Sequence, residues 1–288
     1  MTQREVKIQL GNRTLHGRRF GPNQEPQALF VHGWLDNLES FTPLVPHLEE
    51  TVFGISLDLT GHGASEHYPK DIHDVTVVDW VLDIIAACEQ ITDKPLLLVG
   101  HSLGAGLCTM VAGLAPEKVR GLVLLDGLVP LPAEESEFCS RFRNYVAAKQ
   151  GASLRGEKIY SDLETIVEAR LKVGDITREN ATRIVSRNVA MQRRGYLWST
   201  DPRLKLPTVH RLTQGQLLSV VKEVRCQTIL YQATARQMEI DDSLFEIYAK
   251  ELKNLEVHCV PTSHYVHAEI PEEVAQRIIA CLQEPLDQ

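Results

Sequence analysis

Leu96-Leu97-Leu98-Val99-Gly100-His101-Ser102-Leu103-Gly104-Ala105 is the stretch on which the fold turns. Its first four residues form an apolar block of strand length, suited to burial on both faces of a sheet. The small-residue run 105–115 that follows suits a helix packed closely against that sheet. Between them lies Gly-x-Ser-x-Gly. A serine raised on a sharp strand-to-helix turn needs small residues two places before and after it, because strand and helix nearly touch there. In this setting the pattern predicts Ser102 as a nucleophile held at the carboxyl end of a strand.

The same alternation runs outward in both directions. Apolar blocks at 28–31, 52–57 and 122–125 are each bounded by glycine, proline or a charged residue, with helical segments between them. Residues 6–10 and 15–20, separated by Gly11 and Asn12, predict a leading hairpin. From about 130 to 212 the strand signal gives way to charged, helix-prone sequence, with helices expected over 163–173 and 179–192. The strand pattern resumes at 228–231 and 256–260, with helices over 242–252 and 271–282, the last opened by Pro271 and two glutamates. The expectation is an α/β fold: a mostly parallel central sheet with helices on both faces and an inserted helical cap. Residues 1–129 and 212–288 would form the core and 130–211 the cap.

Composition narrows the class. The chain has 288 residues, 43% hydrophobic and 24% charged, which are ordinary globular values, and a net charge of −8. That charge argues against a general nucleic-acid binder. No apolar run approaches the roughly 20 residues that cross a bilayer, so no stable membrane insertion is expected. The start, MTQREVKIQLGNRT, lacks the features of a secretory signal. The six cysteines show no metal-ligand spacing and are expected as buried, reduced thiols, which predicts a cytoplasmic protein. No metal or organic cofactor is implied.

A nucleophilic serine needs a base. Of the 11 histidines, His264 has the best address, a loop after the last predicted strand and before the final helix. Parallel topology brings the carboxyl ends of neighbouring strands to one edge, so His264 and Ser102 should converge there. A carboxylate should orient the imidazole. One address is Asp126, directly after the block 122–125. The other follows 228–231, where Gln232-Ala233-Thr234-Ala235-Arg236 offers no acid before Glu239, Asp241 and Asp242. Asp126 is the preferred candidate, and the later acids stay open. For the developing oxyanion, His32-Gly33-Trp34 after 28–31 would supply the Trp34 amide, with the Leu103 amide as second donor. Asp58-Leu59-Thr60-Gly61-His62-Gly63-Ala64-Ser65 is read as a scaffold turn, and Arg203 as a salt-bridge residue rather than a substrate contact. Arg183, Arg187, Arg193 and Arg194 could form a face for anionic lipid, although a solvated helix surface is the more usual outcome.

Together these motifs resemble the α/β-hydrolase family over nearly the whole chain, most closely its serine hydrolase-like branch. The similar features are His-Gly-Trp-Leu-Asp-Asn at 32–37, the Asp58 to Ser65 run, the turn over 198–204 and Ser263-His264-Tyr265-Val266-His267 before Pro271. The resemblance implies a helical cap over a pocket and a triad of Ser102, Asp126 and His264. The function expected is hydrolysis of a carboxylic ester or related small-molecule acyl substrate through an acyl-enzyme on Ser102. Serine at the elbow argues against haloalkane dehalogenase and epoxide hydrolase chemistry, which needs a carboxylate there. The contrasting expectation is a small-ligand-binding protein of the same fold without turnover, suggested by the missing acid after residue 231.

Overall fold

The computed structural model describes residues 3–22, 25–155, 158–237 and 242–284. The chain opens with the antiparallel pair β1 (Arg4–Leu10) and β2 (Arg13–Phe20), followed by β3 (Ala28–Val31) and β4 (Gly54–Leu57). Helix α1 (Val77–Ile91) leads to β5 (Leu96–His101), α2 (Leu103–Leu114) and β6 (Val119–Leu125). An excursion follows: α3 (Phe138–Arg155), α4 (Leu163–Leu171), α5 (Arg178–Arg187), β7 (Val189–Gln192) and β8 (Gly195–Trp198). The chain then returns through α6 (Gln214–Val221), β9 (Gln227–Ala233), α7 (Asp242–Ala249), β10 (Leu255–Val260), α8 (Val266–Glu269) and α9 (Pro271–Gln283).

Eight of these strands form one sheet in the order β1-β2-β4-β3-β5-β6-β9-β10. β2 meets β4 antiparallel, and every pair from β4 to β10 is parallel. Because successive side chains of a strand point to opposite faces, each central strand feeds two cores. Leu29, Val31, Leu96, Leu98, Leu122, Leu124 and Leu230 join Trp80, Ile84, Leu107 and Val111 from α1 and α2 on one face. Phe30, Leu97, Val99, Val123, Leu125, Ile229 and Tyr231 meet Val274, Ala275 and Ile278 from α9 on the other. Burial on both faces is why these strands read as unbroken apolar blocks.

The excursion between β6 and β9 has a small core of its own, Ile166, Val167, Ala181 and Val185, flanked by Tyr160, Tyr196 and Trp198. Its second half corrects the sequence expectation. The helix predicted over 179–192 stops at Arg187, and β7 and β8 form a two-stranded antiparallel hairpin where no strand was expected. The reason is local: Gly195, at φ 133, turns the chain, and Tyr196-Leu197-Trp198 prefers a half-buried pleated surface to a helix.

The cysteine expectation also needs correction. Cys88 and Cys108 are buried, but Cys139 and Cys259 are exposed; none of the six is in a disulfide. Cys139 lies on the outward side of α3 and Cys259 on β10, the edge strand, where alternate side chains face out. Among the described residues, no helix is long and apolar enough to cross a membrane.

Candidate active site

The parallel strands β3, β5, β6, β9 and β10 deliver their carboxyl ends to one edge of the sheet, and the residues of interest stand there. The three non-glycine residues with positive φ among those described, Leu35 (61°), Ser102 (53°) and Asp126 (48°), all lie just past these strand ends. Such backbone is costly for a residue with a side chain, and it persists where the surroundings fix it.

Ser102 sits between β5 and α2 with ψ −117°, and its side chain is partly exposed. Its amide donates to Leu125 O at 3.0 Å, so β6 holds the turn from one side. From the other side β3 closes in: a Cβ at Gly104 would stand 2.0 Å from Val31 O. Only glycine allows α2 to start that close to β3. Gly33 makes the second close approach, since a Cβ there would lie 3.2 Å from that of Ser102. The His32-Gly33-Trp34 backbone therefore runs directly beside the serine. Leu103 is the first residue of α2, and amides of a first helical turn have no intrahelical acceptor. The Trp34 side chain is 52% exposed, and its indole N–H donates to Leu204 O at 3.0 Å.

Asp126 and His264 come together. Both are buried, and His264 Nδ1 donates to Asp126 Oδ2 at 2.6 Å. That bond leaves the other imidazole nitrogen, Nε2, as the basic one. The second carboxylate oxygen, Oδ1, accepts from the Ala233 amide at 3.0 Å and from Arg236 at 3.1 Å. Of the rival acids, Glu239 and Asp241 lie outside the described residues, as does the side chain of Asp242.

His101, the elbow residue before Ser102, is buried, and its Nε2–H donates to the His264 carbonyl at 3.0 Å. Its ring centroid is 4.7 Å from that of His264. Burial, with His267 and His264 nearby, holds His101 well below the usual imidazole range, so it is neutral. His267 is likewise pushed down to about 3, first by burial and then by His264. Both are neutral packing rings beside His264.

Several residues at this edge carry no strong sequence signal. Asp36 accepts from the Tyr265 hydroxyl on both oxygens at 3.0 and 2.9 Å and from Arg170 of α4 at 2.9 Å. Burial, then Asp36, raises the Tyr265 phenol well above its ordinary range. Asp36 and Tyr265 stood inside motifs read for their neighbours, and only the fold shows that Arg170 reaches them. Arg236 was visible as the residue where an acid was sought; its pairing with Asp126, 110 positions away, was not.

Other expectations fall into place. Asp58 and His62 are buried in the scaffold turn: Asp58 receives the Leu38 and Ala64 amides, and the Leu35 amide donates to His62 Nε2. Arg203 pairs with Asp201 at 2.6 Å and donates to the carbonyls of Pro69 and Ile72, which occupies it fully. The lipid-face idea fails for Arg187, which turns inward to Asp58 at 2.8 Å and Glu5 at 3.0 Å. Arg183 pairs with Glu179.

Comparison with known proteins agrees with this architecture. The alpha/beta hydrolase fold family matches residues 29–269. A serine hydrolase-like protein of Dictyostelium discoideum is 26% identical over 299 residues, covering 98% of this chain and 82% of its own length. The crystal structure of a hypothetical protein from Pseudomonas aeruginosa superposes with a TM-score of 0.88 at 31% identity, covering 97% of this chain and 99% of that one. The thioesterase domain from the curacin biosynthetic pathway shares the fold, with a TM-score of 0.80 at 22% identity and 97% and 100% coverage. With a serine elbow, a parallel sheet edge that gathers Asp126 and His264, and a family match from β3 to α8, the chain belongs to the α/β-hydrolase fold family.

Proposed function

We propose that this protein is a serine hydrolase that cleaves a carboxylic ester or related acyl compound through an acyl-enzyme on Ser102. The observation that carries the reading is the 2.6 Å bond from His264 Nδ1 to a buried Asp126, at the edge where Ser102 is held at φ 53°. A carboxylate on Nδ1 fixes the tautomer, so that Nε2 can take the serine proton, and stabilises the imidazolium that results.

In this mechanism Ser102 Oγ attacks the substrate carbonyl as His264 Nε2 accepts its proton. The backbone amides of Trp34 and Leu103 receive the developing oxyanion, a role favoured by the approach of Gly33 to Ser102. His264 then protonates the leaving group, and the carbon–oxygen bond to it breaks. Water, deprotonated by the same nitrogen, attacks the acyl-enzyme and releases the acid and free Ser102. Residues 130–211 act as the cap that bounds the acyl pocket. The ligand-binding alternative rested on the acid missing after β9; the bond between His264 and Asp126, at the end of the adjacent strand, favours the hydrolase reading over it.

Intact-protein mass spectrometry after exposure to a fluorophosphonate tests the proposal. The expected result is one phosphonyl adduct, absent in Ser102→Ala and formed far more slowly in His264→Ala. An unlabelled but well-folded parent protein would rule out an activated serine.

A further inference from the structure

Arg236 occupies the loop after β9, where residues 232–236 include no acid. Its side chain is only 6% exposed, and its NH1 reaches both Asp126 Oδ1 at 3.1 Å and the Ala233 carbonyl. The Ala233 amide donates to the same carboxylate oxygen at 3.0 Å. The two oxygens of Asp126 are thus divided: Oδ1 belongs to the β9 loop and Oδ2 to His264. Asp126 itself stands on a positive-φ backbone, a conformation that persists where its surroundings fix it.

We infer that Arg236 is a positioning residue for the proposed reaction: its guanidinium anchors Asp126 Oδ1 and turns Oδ2 toward His264. The inference rests on the acyl-transfer reading of Ser102. An arginine suits the task because NH1 carries two N–H groups, enough for a carboxylate and a carbonyl at once, and reaches farther from the backbone than a lysine nitrogen. It also places a fixed positive charge behind the acid that supports the imidazolium.

That charge gives the inference a signature that simple loop packing lacks. Among the described residues, the other groups around His264 are His101, Tyr265 and His267, the Asp36–Arg170 pair behind Tyr265, and Asp175 and Glu269 around Ser263. Removing the cation leaves Asp126 free to favour the protonated imidazole, so the rising limb of the reaction rate against pH moves upward.

The experiment is fluorophosphonate labelling of the full chain at a series of pH values, for the parent, R236M, R236Q, R236K and D126N, each checked for folding by circular dichroism. Expected for the neutral variants is a fall of roughly tenfold in the plateau rate, with the limb displaced to higher pH. R236K, which keeps the charge but falls short of the NH1 position, should label more slowly than the parent with the limb near that of the parent. If one neutral variant does not fold, the other carries the comparison, and R236K supplies it if neither folds. Folded variants with the parent's rate and limb would overturn the inference while leaving the triad intact. A parent that does not label would remove the acyl-transfer reading and the inference with it, whereas a D126N protein that labels as fast as the parent would move the acid elsewhere and remove the inference alone.

Discussion

Asp126 is the residue on which the proposed chemistry is most exposed to test. Its carboxylate is buried and accepts N–H groups from Ala233, Arg236 and His264. Asparagine is nearly the same size but cannot stabilise an imidazolium, and its amide can force the wrong tautomer on His264. Asp126→Asn should therefore lower turnover or labelling by about a hundredfold or more while the fold survives. Stopped-flow or mass-spectrometric rates would show it, and near-parental rates would move the acid elsewhere. Ser102 and His264 could be singled out from local sequence, because the elbow pattern and the strand-to-helix loop lie within a few residues of each. Asp126 could only be preferred, and Arg236 could not be assigned at all, because the bond that explains both joins positions remote in the chain.

At the scale of elements, the excursion is tied to the strand-end loops by buried polar contacts. Arg170 of α4 reaches Asp36, Arg187 of α5 reaches Asp58, Asn37 donates to Ile184 O at 2.8 Å, and Asn188 bonds both Gly63 and Leu35. A buried ion pair broken on one side leaves an uncompensated charge. Arg170→Met should accordingly cost about 3 kcal/mol, and the double variant Asp36→Asn, Arg170→Met should cost less than the single one. Urea denaturation of the parent, both single variants and the double variant would measure this; additive losses would mean that the pair is not coupled. The central strands were legible because burial on both faces leaves no polar position to blur them. The β7–β8 hairpin was not, since four-residue strands that are half-buried or exposed carry no alternation clear enough to compete with a preceding helical pattern.

The whole molecule buries His32, His62, His101 and His267, and burial is the leading cause that holds each below the ordinary imidazole value of 6.5. In the unfolded chain these groups take up protons below about pH 6.5, while in the folded protein they do not. The unfolded state thus binds more protons, and stability is full above that pH and is lost as pH falls, down to about 3 for His267. The slope should approach about 1.4 kcal/mol per pH unit for each histidine. His267→Phe, which keeps a ring against Phe41 and His101, should flatten the decline between pH 6 and 4 by one histidine's share. Denaturation curves that respond identically to acid in parent and variant would refute this account. The contact between Gly104 and Val31 has a consequence of a different kind. Because no side chain fits there, the strand that leads to Gly33 and the helix that carries Leu103 are geared together, and neither can be re-aimed alone. Natural variation or laboratory selection that reshapes the surroundings of Ser102 should then leave both parts of the gear untouched and work through the excursion between β6 and β9, at side chains other than Arg170, Arg187 and Asn188, which hold it in place.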